Sequence, residues 1–218
     1  MQRILDDAET YQFPEQTIQN AILLKTARFV SGLHAGNLLL KHGFVQELGT
    51  LQRTLDDFET DAMFLALACI YDDLTPLHQV YLDWFWAEDP SQRDFVLNQK
   101  KKPEPPRKKQ ILSYIARRTN GGIPDHTEIA TGKYVLDFYS GYVHGAGPHL
   151  MDMYDPSTRR LSVAGTKFSP LLAAHQYDFE NYVFRGVVLM AVAAEALGES
   201  NLHKEALSIH EELKPHFT

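Results

Sequence analysis

A seam of apolar residues between positions 44 and 71 restricts the folds open to this chain. Its members recur in steps of four and three, the spacing that keeps side chains on one side of an α-helix. The preceding segment, residues 15–41, has the same helical spacing and stops at His42-Gly43. Because so few residues join the two helices, we expect an antiparallel hairpin. The seam consists of Phe44, Leu48, Leu51, Leu55, Phe58, Ala62, Leu65 and Cys69.

Capping and helix-breaking residues divide much of the remaining chain into further helices. Serine or threonine followed by proline is a common helix start, and glycine a common helix end. Together these signals predict an all-α helical bundle that forms a single domain over residues 1–218. The expected helices are Thr75 to Trp86, a short piece from Asp89-Pro90, about Lys108 to Arg118, Pro124 to His144, Ser169 to about Leu197, and about Ser200 to Leu213.

Two segments depart from the helical pattern. Residues 100–109 are basic and contain three prolines, which exclude a continuous helix and indicate a connector. Residues 151–165 contain the turn signal Asp155-Pro156-Ser157-Thr158 between two short runs. This pattern predicts a small β-hairpin near 150–165.

The composition sets limits on the class of protein. Of 218 residues, 44% are hydrophobic and 22% charged, so a buried core is expected. The net charge of -7 argues against broad nonspecific binding to nucleic acid or anionic membranes. The longest apolar run, residues 186–194, is far shorter than the roughly 20 residues of a membrane span. With one cysteine and no secretory apolar segment at the N-terminus, we expect a soluble cytoplasmic protein.

A stripe of reactive residues marks the helix that ends near Gly145. Lys133, Asp137, Ser140 and His144 are spaced four, three and four apart and share one helical face. They cannot form a catalytic triad by themselves, because the histidine must lie between serine and aspartate. One interpretation is a solvated stripe. The other places His144 in a pocket as general acid/base or anion ligand, with Tyr139 and Ser140 as supporting donors.

A second candidate pair lies on the seam helix. Arg53 and Asp57 are four residues apart, on the side opposite the apolar seam. They form either a solvated ion pair or, if a further helix covers this side, a buried charge or phosphate contact. We therefore take Arg53, Asp57, Tyr139, Ser140 and His144 as ligand-binding candidates, with His144 the catalytic candidate.

The sequence predicts no metal site and no cofactor. His144, His149, Asp152 and His175 could converge, but the chain lacks the paired histidine and carboxylate motifs of known metal-binding helices. No glycine-rich phosphate loop follows a strand either.

Two of these motifs resemble a known group. The hairpin with Arg53 and Asp57, and the segment Tyr139-Ser140-Gly141-Tyr142-Val143-His144, are together similar to uncharacterised bacterial all-helical proteins. That group is distantly HEPN-like, that is, related to the helical nucleotide-binding superfamily of higher eukaryotes and prokaryotes. Some members of the superfamily are metal-independent ribonucleases with an Arg-x4–6-His motif at a dimer interface. The only such spacing here is Arg28 to His34, with Phe29 where a polar residue is usual.

Three functions stay open at this point. The first is a binding or regulatory module with a polar pocket for a small anionic or nucleotide ligand. The second is a metal-independent, nuclease-like hydrolase in bacterial defence or stress that acts on RNA. The third is a scaffold whose ion network is purely structural. In each case we expect a homodimer without membrane contact, and whether the protein is an enzyme is open.

Overall fold

The protein is an all-α bundle, as the sequence predicts. The computed structural model describes residue 13 and residues 15–87, 104–121 and 126–217. Within these ranges the helices are α1 (Ile18–Lys41), α2 (Val45–Ile70), α3 (Pro76–Trp86), α4 (Lys108–Thr119), α5 (His126–Val143), α6 (Gly147–Leu150), α7 (Ser169–Ala196) and α8 (Ser200–Leu213), with 3₁₀ turns at Met151–Met153 and Lys214–His216.

The α1–α2 hairpin is the centre of the fold. Thr17 caps α1 by accepting a hydrogen bond from the backbone N–H of Asn20 at 3.1 Å. Gly43 has a φ of +75°, which favours glycine, and lets the chain reverse within three residues. Helices α7 and α5 pack on the hairpin from one side, and α3 and α4 pack near its other end.

The core has two parts that follow each other along the α1–α2 hairpin. The first contains Ile22, Phe64 and Tyr114, from α1, α2 and α4. The second joins α1 and α2 to α5 and α7 and includes Phe29 and Tyr182. Four members of the predicted seam are fully buried, and the other four are half-buried because α2 is covered on more than one side. The fully buried members are Leu48, Leu55, Ala62 and Leu65.

The predicted β-hairpin is present and short. Strand β1 (Tyr154–Asp155) pairs antiparallel with β2 (Arg160–Leu161). The Asp155 carboxylate accepts from the Ser157 backbone N–H at 2.8 Å, as expected of an Asx turn. After the hairpin, the backbone N–H of Thr166 donates to the carbonyl of Gly43 at 2.8 Å, which ties this segment to the central turn.

Two expectations concern less regular parts of the chain. Of the basic connector, residues 104–107 are irregular and α4 begins at Lys108, while residues 100–103 lie outside the described ranges. The short helical piece expected from Asp89-Pro90 also lies outside them. None of the helices that the structure describes is long and apolar enough to cross a membrane.

Candidate functional site

Arg53 and Asp57 do form the pair that their spacing predicts. The Arg53 guanidinium lies 2.5 Å from Asp57 Oδ2, with the aspartate side chain 42% exposed. From α4, Lys108 places its ammonium 2.9 Å from Asp57 Oδ1 and 3.5 Å from Asp61 Oδ1. The Arg53–Asp57 pair is therefore the solvent-facing end of a chain of charges.

The other end of this chain of charges, at Asp61, is buried and its carboxylate is fully bonded. Asp61 Oδ2 lies 2.8 Å from the ammonium of Lys25 and accepts a hydrogen bond from the Tyr81 hydroxyl at 2.9 Å. Burial and the nearby carboxylate raise the pKa of Tyr81, so it stays a donor. Four aromatic rings surround the ammonium at 5.2–5.9 Å from their centroids, those of Phe58, Tyr81, Trp84 and Phe85.

The α5 stripe lies on the outer side of its helix, whereas the neighbouring Tyr139 faces the core. His144 is exposed, directly after the end of α5, and its backbone N–H donates to Ser140 at 3.0 Å. Tyr139 is buried and its hydroxyl donates to Asp178 Oδ2 at 3.4 Å. Burial, with Asp178 nearby, raises the pKa of Tyr139. Within the described ranges, no hydrogen bond or ion pair joins His144 to Arg53.

A buried ion cluster that the sequence did not reveal lies one residue from Asp57. The carboxylate of Asp56 is almost fully buried and accepts from Arg185 of α7 at 2.8 Å. Tyr182 donates to both of its oxygens, at 3.0 and 3.1 Å. Arg185 also binds Glu59, with its Nε 3.2 Å from Oε1. The Arg185 guanidinium stacks over the Tyr182 ring at 4.5 Å from the centroid, which fixes its orientation.

Burial governs the electrostatics of this cluster. It raises the pKa of Asp56 more than Arg185 and Tyr182 together lower it. The pKa of Glu59 is raised for the same reason, with Arg185 opposing. Carboxylates whose pKa values are perturbed by burial and by a specific charged partner mark a candidate functional site when they lie beside a cleft.

This cluster forms one wall of a cavity open to solvent. The cavity has a volume of about 240 Å³ and lies between α2, α4, α5 and α7. Asp56, Arg185, Thr60 and Asn181 are its polar residues. The remaining lining is apolar and comes from Leu112, Gly132, Val135 and Leu136. Convergent polar groups beside apolar walls are the usual composition of a small-molecule site.

The histidines considered as metal ligands are only partly brought together. His175 Nε2 lies 3.4 Å from Asp152 Oδ2, which also accepts from the Tyr142 hydroxyl at 2.5 Å. The His149 ring packs edge-on against Tyr142, with centroids 4.5 Å apart. Among the residues that the structure describes, no three side chains are arranged to hold a metal ion.

The sequence contained one signal for the missed cluster. Arg185 is the only charged residue between Glu180 and Glu195, within a strongly apolar stretch. A lone arginine in such a stretch is buried only if a carboxylate meets it. Which carboxylate it meets is a matter of tertiary packing, since Asp56 lies 129 residues earlier.

Comparison of the chain with protein-family models, curated proteins and solved structures found no match.

Proposed function

We propose that this protein is a binding or regulatory module whose ligand site is the Asp56–Arg185 cavity. The observation that supports the proposal is the buried Asp56–Arg185 pair in the wall of an open, otherwise largely apolar cavity. A purely structural pair needs no such opening, whereas a ligand site needs fixed polar groups that a small molecule can reach.

The charges of the cluster indicate which class of ligand the cavity would bind. Two carboxylates, Asp56 and Glu59, face one guanidinium, so the cluster does not favour the small anion expected from the sequence. Asp56 offers acceptor oxygens beside the donors of Arg185, which suits a neutral group carrying an adjacent N–H and C=O. A nucleobase or an amide has such an edge. The cavity of about 240 Å³ is smaller than the roughly 300–1,000 Å³ of pockets that enclose drug-sized ligands, so a nucleobase fits better than a whole nucleotide.

A cavity-filling variant tests this proposal. Gly132 lines the cavity, and a Cβ added there makes only ordinary contact with Leu112 at 3.4 Å. Gly132→Val should therefore take up part of the cavity beside Leu112 and narrow it, and Ala130→Val, at an exposed position of the same helix, is the matched control. Calorimetric titration with adenine, cytosine, uracil and acetamide should show binding to the wild type and to Ala130→Val, and none to Gly132→Val. Equal results for all three proteins would contradict the proposal.

A structural role is the second candidate, favoured by the closed Lys25–Asp61–Tyr81 network. If none of the four probes binds and removing Asp56 only lowers stability, the scaffold interpretation replaces the binding module. We retain the distant HEPN-like relationship and the nuclease alternative as proposals; RNA cleavage lost in His144→Ala would support them.

We further propose that the protein is a cytoplasmic homodimer. Its one cysteine, Cys69, is half-buried, and burial raises the pKa of its thiol, so it is suited to a reduced structural role. An exposed apolar surface on α1 and α7 supports self-association.

A further inference from the structure

A long groove runs between α1 and α7 on the solvent side of the bundle. It consists of two adjoining open hollows of about 700 and 530 Å³, whose walls share Val30 and His34. One hollow extends to Lys41, and the other to Leu23 and Leu202. Because a helix rises 1.5 Å per residue, residues 23–41 give the groove a length of about 27 Å.

The rims of the α1–α7 groove expose large apolar side chains. On α1, Leu23 is 46% exposed. On the other rim, Val183 and Leu202 are 38% and 40% exposed. A largely apolar groove of this length, with polar and charged residues among its lining, is typical of a protein–protein interface.

The charges of the two walls are opposite. Lys41 lies on the α1 wall, whereas Glu180 and Glu199 lie on the wall formed by α7 and the start of α8. None of the three takes part in an ion pair among the described residues, although Gln176 donates to Glu180 at 2.8 Å. A two-fold axis along the groove would exchange the walls, laying the cationic wall of one copy on the anionic wall of the other.

The area is sufficient for a dimer. Two helices packed about 9 Å apart, each about 10–12 Å wide, make a face roughly 20 Å across. Over about 27 Å this gives roughly 540 Å² of flat area per copy, and the grooved surface is larger. The total for two copies therefore exceeds the roughly 1,000 Å² expected of a specific interface.

We infer that the α1–α7 groove is the self-association surface of this protein, and that its occupant is the same groove of a second copy. This inference rests on the homodimer proposed above and adds the position of its interface on the molecule. It is independent of the Asp56–Arg185 cavity, which shares α7 with the groove but is lined by different residues of that helix and by α2, α4 and α5.

Sedimentation equilibrium of the full chain tests the inference. The wild type should have twice the chain mass of 24.8 kDa. Lys41→Glu places like charges across both symmetric contacts, so it should weaken the dimer at least tenfold. Adding Glu180→Lys to the same chain should restore the affinity, because positions 41 and 180 then carry opposite charges again, with the two charges swapped. Lys109→Glu, exposed on α4 away from the groove, is the control.

The possible outcomes distinguish a failure of the proposed dimer from a failure of the groove as its interface. A wild-type monomer at all accessible concentrations would overturn both the homodimer and the groove as its surface. A dimer that persists unchanged in Lys41→Glu and in Val30→Asp would place the interface elsewhere and overturn this inference alone. Circular dichroism of each variant shows that a loss of dimer is not a loss of fold.

Discussion

Replacing Asp61 by alanine would leave a buried cation without its partner. The Lys25 ammonium lies 2.8 Å from Asp61, and the lysine side chain is only 11% exposed. The four aromatic rings around it attract a cation but cannot accept its hydrogen bonds as a carboxylate does. The Tyr81 hydroxyl, which donates to the same carboxylate, would lose its acceptor too.

The cost can be estimated from these contacts. Removing one partner of a buried ion pair costs about 3–5 kcal/mol, and an unsatisfied buried hydroxyl about 1–3 kcal/mol. The two terms overlap, because Lys25 and Tyr81 use the same carboxylate oxygen of Asp61. We therefore expect a total loss of about 3–5 kcal/mol in the free energy of unfolding, a large part of the roughly 5–15 kcal/mol typical of a folded domain.

Urea unfolding followed by circular dichroism measures this loss. Asp57→Ala is the matched control, since that carboxylate is 42% exposed and its loss should cost no more than about 1 kcal/mol. The double variant Lys25→Met/Asp61→Ala should recover most of the stability, because it removes the stranded charge. An Asp61→Ala protein within 1 kcal/mol of the wild type, or a double variant no more stable than Asp61→Ala, would refute the reasoning.

Three further predictions concern the other parts of the site. Gly132→Ala should raise the free energy of unfolding by about 0.5–1 kcal/mol in the same urea assay, since alanine favours the helix and its methyl fits the cavity. The stability of the wild type relative to Asp56→Asn should increase as pH falls from 7 towards 4, because the raised pKa means that the folded state takes up the proton first; a flat difference would contradict this. Gly141→Ala should lower the melting temperature, because a Cβ there overlaps the His149 ring, and adding His149→Ala should reverse the loss.

Local sequence signals were sufficient for the helices but not for the site. The hairpin turn at His42-Gly43 and the helix start at Ser169-Pro170 depend on neighbours within a few positions, so both are readable from the chain. Asp56 and Asp57 are adjacent acids, and helical spacing alone does not say which one is covered. The packing of α7 decides which one is covered, because it brings Arg185 and Tyr182 to Asp56 although they are more than 120 residues away in sequence.

The outward position of His144 also follows from tertiary packing. The stripe Asp137, Ser140 and His144 shares a helical face, but the core lies on the side of Tyr139 and Tyr142, which face α2 and α7. The reactive stripe therefore faces outward, and the buried polar groups come from tyrosines bound to aspartates. Tyr142, whose pKa is raised by burial and by its bond to Asp152, is an example.

The most direct test of the ligand site is the side-chain Nε–H signal of Arg185 in a proton–nitrogen NMR spectrum. Its bond to Glu59 should keep this signal visible and well resolved in the free protein. Titration with cytosine, uracil or adenine should shift it in a saturable way in the wild type and leave it unmoved in Gly132→Val. A signal that no base shifts, or that shifts equally in the cavity-filled variant, would contradict the assignment of the Asp56–Arg185 cavity as the binding site.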